Sequence, residues 1–258
     1  RCSAKSSNFV RPSPMSRLKP ATRLYLEADL VRDGTVELDR AQAHFLKTVL
    51  RLESGASLLV FNGRDGEWEA SVSFLDKKAG GLSLERQRRP QEASSDLWLA
   101  FAPIKAGRID WLVEKATELG VSRLLPVITR RTVVERVKLE RLQANAREAA
   151  EQSERLDIPD VLEPQSLDRL LQSWPAERRL LVAAERQRAQ PLPEALASEL
   201  GAYGLLIGPE GGFAPEELER AARFPFVSFV SLGPRILRAE TAALAALAVT
   251  QAVTGAWS

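Results

Sequence analysis

The chain has 258 residues, a formal net charge of +2, one cysteine and one histidine. With only Cys2 and His44, internal disulfides, cysteine or histidine metal clusters, Cys-His enzymes and a Ser-His-Asp hydrolase with its base in the larger domain are poorly supported. No apolar run reaches the length of a membrane span, and the 45% hydrophobic and 27% charged content is that of an ordinary globular protein.

The net charge hides an asymmetry. Six of the 36 basic residues lie within residues 1–26, which hold no acid, so the rest carries 30 basic against 34 acidic residues. A slightly acidic body binds nucleic acid through local basic stripes rather than a global field. Residues 1–22 are polar, contain proline and show no apolar period, and they read as a disordered tail. Three origins compete for it: an upstream extension of a native start at Met15, which is preferred, a cloning remnant, or an Arg/Ser-rich transit peptide. A cytoplasmic location is expected, and an organellar one only if the tail is a transit peptide.

Residues 23–90 read as a small β-barrel of five or six strands. Arg23–Leu26 and Thr35–Leu38 alternate, Ser57–Phe61 is a buried run, Asn62–Gly66 is a turn, Glu67–Leu75 is the return strand, and Gly80-Gly81 precedes Leu82–Leu84. One helix, Asp39 to Val49, sits among them with Asp39 as N-cap. The connector Glu85–Ser95 contains Pro90 and marks the boundary.

From residue 96 to 258 strands and helices alternate, which predicts an α/β domain. The expected strands are Leu97–Ala102, Arg123–Ile128, Arg179–Ala184, Tyr203–Ile207 and Val227–Leu232. Expected helices run from Arg108 to Leu119, stopped by Gly120, from Lys138 to Leu156, from Pro215, and from about Ala239 to Val253.

Two stretches carry the chemistry. In Leu206-Ile207-Gly208-Pro209-Glu210-Gly211-Gly212-Phe213 and in Leu232-Gly233-Pro234-Arg235-Ile236-Leu237-Arg238-Ala239-Glu240-Thr241-Ala242, a strand stops at glycine and proline and a helix pattern follows. Bare backbone at two strand ends builds a close-fitting pocket from main-chain atoms. Neither stretch has the Lys-Ser/Thr ending of a phosphate loop or the spacing of a dinucleotide fingerprint. Taken alone, each also fits a plain strand–turn–helix connection.

Together these motifs resemble the RsmE family, the 16S ribosomal RNA uracil-N3 methyltransferases of the SPOUT superfamily. Lys105 with Lys115–Val121 and Pro126, Glu148–Ser153 with Arg155, Ile158 and Pro159, and His44 with Val49–Arg51 resemble further family blocks. The resemblance spans about Arg23 to Trp257. It implies a PUA-like barrel, a SPOUT α/β domain with a C-terminal trefoil knot, S-adenosylmethionine bound in the knot, no metal, and a homodimer acting on 16S rRNA of the small ribosomal subunit.

Leu206, Gly208, Pro209, Glu210, Gly211, Gly212, Leu232, Gly233, Ile236, Leu237 and Thr241 are then the expected cofactor residues. Arg238, Glu240 and Arg235 are the expected catalytic ones: a cation favours the uracil anion and a buried carboxylate takes the proton. Glu240 and Glu210 also read as helix N-terminal charges, and Arg238 as an ion-pair partner. Arg23, His44, Arg51, Arg130, Arg131 and Lys138 are the expected RNA contacts, against a solvated charged face. Gln152 and Arg155 fit a dimer interface, a substrate contact or a cap on the long helix, and the sequence does not separate these. Ala214 stands where the family more often caps its helix with Ser or Thr, a loss of about 1 kcal/mol. A non-catalytic RNA-binding protein and a phosphate-binding α/β enzyme are the competing readings.

Overall fold

A computed structural model describes residues 20–92, 95–134, 136–184, 189–197 and 201–254. The expected tail up to residue 19, with Met15, lies outside them, and so does Trp257.

The first sheet has five strands: β1 (Arg23–Tyr25), β2 (Thr35–Leu38), β3 (Ser57–Phe61), β4 (Glu67–Leu75) and β5 (Gly80–Arg89), in the order β1-β3-β4-β5-β2. Strands β1 and β3 are parallel and the other pairs antiparallel. Alternate residues turn inward to a core of Leu24, Leu46, Leu58, Val60, Trp68, Val72 and Leu82. Helix α1 (Arg40–His44) starts at Asp39, whose side chain accepts from the Gln42 N–H while Gln42 accepts from the Asp39 N–H. It continues through a π-helical turn, Phe45–Val49, so the expected single helix changes its winding midway. Gly66 at the hairpin turn has φ +75°, and a β-carbon there would stand 2.2 Å from the Arg89 carbonyl oxygen.

The second sheet is parallel throughout. It contains β6 (Leu97–Phe101), β7 (Arg123–Ile128), β8 (Asp160–Val161), β9 (Gln165–Ser166), β10 (Arg179–Ala183), β11 (Gln190–Pro191), β12 (Tyr203–Ile207) and β13 (Val227–Ser231). The order is β11-β13-β10-β12-β6-β7-β8, with β9 also on β7. Helices α2 (Arg108–Glu118), α3 (Leu139–Gln152), α5 (Leu192–Ala197) and α7 (Ala239–Thr254) bury apolar residues in one core layer. Helices α4 (Leu167–Ser173) and α6 (Pro215–Ala221) bury theirs in the other. Fully buried Leu99, Leu124 and Leu181 face the first layer, and Ala100, Leu180 and Leu206 face the second, as strand alternation requires.

The two sheets are joined by a polar clamp. Arg23 is 9% exposed. Its guanidinium donates to Glu67 at 2.9 Å and to the main-chain carbonyls of Ala150, Glu151 and Arg155 at the end of α3. Its plane lies over the Phe61 ring, and Phe61 packs with Ala150 and Leu156. Burial pulls this guanidinium below its ordinary value, opposed by the Glu67 carboxylate. The expectation of a solvent-facing phosphate contact at Arg23 therefore meets an inward-turned side chain whose donors are spent on the protein's own carbonyls. Glu151 accepts from the Tyr25 N–H at 2.9 Å. Arg155 donates to the Thr117 carbonyl in the last turn of α2 and to the Val121 carbonyl just beyond it, and pairs with Asp157. Arg155 thus caps α2 rather than the long helix α3 that the sequence suggested, and Gln152 is exposed.

Candidate active site

The carboxyl ends of β12, β10 and β13 lie side by side, and a cleft of about 220 Å³ opens over them. Parallel α/β sheets offer ligands this position. Both glycine stretches line it. The first contributes Gly208, Pro209, Glu210, Gly211, Gly212 and Phe213, and the second Leu232, Gly233, Arg235, Ile236 and Leu237. Ala239 and Ala242 of α7 close one side, with Ala183, Ala184 and Arg131 on others.

The local geometry follows from the residue types. The Gly212 N–H donates to the Pro209 carbonyl at 2.8 Å, closing a turn in which Gly212 has φ +67°. Gly233 has φ +111°, a conformation that side chains with a β-carbon rarely adopt. Phe213 folds back over Gly208 and is 8% exposed. Helix α6 lacks a side-chain cap at Ala214, as expected from the alanine. Buried Glu217 does not replace that acceptor, but it accepts from the Ala214 N–H just ahead of the helix and from the Arg130 N–H, both at 2.8 Å. One carboxylate thus ties the loop after β7 to the loop after β12. Arg131 reinforces the tie by donating to the Gly211 carbonyl at 2.8 Å.

The remaining expected residues fall in several places. Leu206 is 1% exposed and supports the cleft from within β12. Thr241 is exposed on the first turn of α7 and does not line the cleft. Arg235 lines the mouth, while Arg238 is exposed on the same loop, just before α7. Glu240 is 8% exposed and does not line the cleft, and its Oε2 is buried with no hydrogen-bond partner among the described residues. His44, Arg51, Arg130 and Lys138 are exposed. Arg51 holds a left-handed backbone, φ +56°, and His44 Nδ1 lies 3.3 Å from Thr48 Oγ1.

Three contributors went unread. Arg131, expected at RNA, reaches the cleft. Phe213 lay inside the quoted motif, but its closure over Gly208 is a tertiary event. Arg108, at the start of α2, stands 3.8 Å from Glu240 Oε1 and 4.0 Å from Glu210 Oε1. Among the described residues no cluster of three or more His, Cys, Asp or Glu is arranged to hold a metal ion. No described helix is long and apolar enough to cross a membrane.

The chain thus pairs a small mixed sheet with a parallel α/β sheet whose carboxyl edge carries a backbone-lined cleft without a phosphate loop, and the comparisons with known proteins give the class. Residues 91–251 match the RNA methyltransferase domain family and residues 38–80 the RNA methyltransferase PUA domain. A Rickettsia conorii protein named ribosomal RNA small subunit methyltransferase E is 35% identical over 229 residues, 88% of this chain and 93% of the relative. A Synechocystis protein of the same name is 32% identical over 249 residues, 95% of this chain and 82% of the relative. The crystal structure of a ribosomal RNA small subunit methyltransferase E from Neisseria gonorrhoeae, bound to S-adenosyl methionine, superposes with a TM-score of 0.82 at 31% identity. It covers 90% of this chain and 97% of its own. The chain belongs to the ribosomal RNA small subunit methyltransferase E family.

Proposed function

We propose that this protein transfers a methyl group from S-adenosylmethionine to N3 of one uridine in 16S ribosomal RNA. The observation that carries the reading is the convergence of the two glycine bends, with the start of α7, on a single cleft. The cleft fits the donor's chemistry. Adenosylmethionine has an adenine edge, a ribose and a sulfonium but no phosphate, so it calls for main-chain hydrogen bonds and an apolar cradle. Gly208, Gly211, Gly212 and Gly233 supply bare backbone, and Leu232, Ile236, Leu237, Ala239 and Ala242 supply the cradle. Pro209 shapes the first bend, Leu206 backs it, and Thr241 stands on the first turn of the helix that closes the cleft. Glu210 accepts from a ribose hydroxyl. Bound there, the donor supplies an electrophilic methyl group.

The chain's own residues prepare the acceptor. Holding the nitrogen in line with the methyl group provides most of the acceleration. Arg235 at the cleft mouth and Arg238, exposed three residues on along the same loop, stabilise the uracil anion left when N3 loses its proton. Glu240, buried with one free oxygen, takes that proton. Exposed His44 at the end of α1 and Arg51 in the loop after the π-helical turn, with Arg130 and Lys138 in the segment between β7 and α3, position the RNA through its phosphates. Arg131 serves the cleft loop in the same interface. We assign residues 23–90 to RNA binding and 96–258 to catalysis, in the cytoplasm.

The reading includes a trefoil knot and a homodimer. Strand β13 lies on the far side of β10 from β12, yet α7, which follows it, returns to pack on β12, α2 and α5. That return supports a threaded C-terminus. Helices α2 and α7 pack together and leave Trp111 43% and Val253 42% exposed, large apolar groups suited to a second copy. Sedimentation is expected to give a dimer for the wild type and a monomer for Trp111→Asp; a monomeric wild type contradicts the dimer.

The target is tested by mass mapping of modified uridines in 16S RNA from cells lacking the protein. Loss of one N3-methyluridine, restored by the wild-type gene, is expected. Retention of every methyluridine rejects the target.

A further inference from the structure

Arg108 joins the two glycine stretches through their carboxylates. Its Nε stands 3.8 Å from Glu240 Oε1, and its Nη1 stands 4.0 Å from Glu210 Oε1. Both distances are longer than a direct N–H···O bond, so this is a charge bridge rather than a pair of hydrogen bonds. The three residues come from three elements: the first turn of α2, the loop after β12 and the first turn of α7. Their exposures differ in a useful way. The Glu240 side chain is 11% exposed, against 46% for Arg108 and 41% for Glu210.

A buried carboxylate needs a nearby cation, and Arg108 is the one paired with Glu240 among the described residues. That need anchors the guanidinium at its inner end. Its outer end is then set toward Glu210, which lines the cleft. Glu210 has no other ion pair among the described residues, so this is the one charge contact that biases its side chain, and as an exposed pair it acts gently. The forked guanidinium suits the task, since it presents separate N–H groups to separate carboxylates, which a lysine ammonium does less well. Meanwhile Glu240 keeps Oε2 without a donor, and buried acceptors of this kind are rare unless something arrives to fill them.

We infer that Arg108 is a positioning residue: anchored on buried Glu240, it holds the Glu210 carboxylate in register with the cleft so that the methyl donor meets a preformed site. The inference rests on the donor assignment above. It makes Arg108 act through Glu210, which gives it a signature that helix packing alone does not have.

The test is calorimetric titration of full-length protein with S-adenosylhomocysteine, for wild type, Arg108→Gln, Arg108→Lys, Glu210→Gln and the Arg108→Gln/Glu210→Gln double variant, together with steady-state methylation. Arg108→Gln and Glu210→Gln are each expected to weaken binding about ten-fold, and the double variant no further than either single, because both remove one linkage. Arg108→Lys keeps a cation beside Glu240, folds normally, and loses affinity in smaller measure. In turnover, Glu210→Gln and Arg108→Lys raise the KM for the donor far more than they lower kcat, whereas Arg108→Gln also lowers kcat by leaving buried Glu240 without its cation. Wild-type affinity in Arg108→Gln, or a double variant whose loss is the product of the two single losses, overturns the inference. A wild-type protein that ignores the ligand overturns the donor assignment as well.

Discussion

Gly208 and Phe213 are packed so closely that a β-carbon at position 208 would stand 2.9 Å from Cε2 of the Phe213 ring. The absence of that one carbon lets the first bend fold its own aromatic residue over the strand end. Gly208→Ala must displace the ring, and because both residues line the cleft the displacement alters its wall. The expected result is a loss of donor affinity of at least about ten-fold, with a stability cost of about 1–3 kcal/mol from the displaced ring. Calorimetry and urea unfolding on the same variant measure the two effects separately.

Arg23 distinguishes a joint from an RNA contact. A phosphate contact, once removed, weakens RNA binding and flattens its salt dependence while stability stays put. Arg23 instead holds three carbonyls and Glu67 in the joint. Arg23→Ala leaves those acceptors buried, at a cost of about 3 kcal/mol. Glu67 keeps Arg89 at 3.2 Å, which limits the damage. Urea unfolding is expected to show the loss, together with easier proteolysis near residue 92.

The same joint gives a pH dependence with a definite sign. Burial pushes the Glu151 carboxyl above the ordinary value of 4.5, opposed by the Tyr25 N–H, Arg147 and Arg23, and aided by Glu148. A raised folded value means the folded state holds its proton more tightly than the unfolded state. This stabilising contribution is therefore whole below the unfolded value and is lost as pH rises through the folded one. Glu151→Gln keeps an oxygen for the Tyr25 N–H and removes the titration. Its stability relative to wild type is expected to increase as pH rises above 4.5 and then level off, measured by thermal unfolding across that range.

Much of this architecture is legible in the sequence because it is local. Tyr203–Ile207 is a strand bounded as its apolar run suggests, Pro215 opens α6, and Gly120 follows α2 with φ +82°. The convergence of the two glycine stretches is also legible, since both end strands of one parallel sheet. What escaped depends on distance along the chain. Arg23 looks like a surface charge on an alternating strand until residues 127 to 132 positions away supply its partners. Arg108 reads as the exposed start of an amphipathic helix, and its two carboxylates lie far down the chain. Helices α4 and α5 have seven and six residues, too short for a 3.6-residue period to declare itself, although Ser166 caps the first by accepting from the Arg169 N–H. The strand order, with β10 between β12 and β13, has no local signal at all.

The central claim is that two bare bends grip a methyl donor without phosphate or metal. Its most direct measurement is a calorimetric titration of the purified protein with S-adenosylmethionine and, separately, with ATP. The account predicts saturable binding of adenosylmethionine at one site per chain, no heat from ATP, and loss of the adenosylmethionine signal in Gly208→Ala. Equal binding of both ligands, or none of adenosylmethionine, would contradict it.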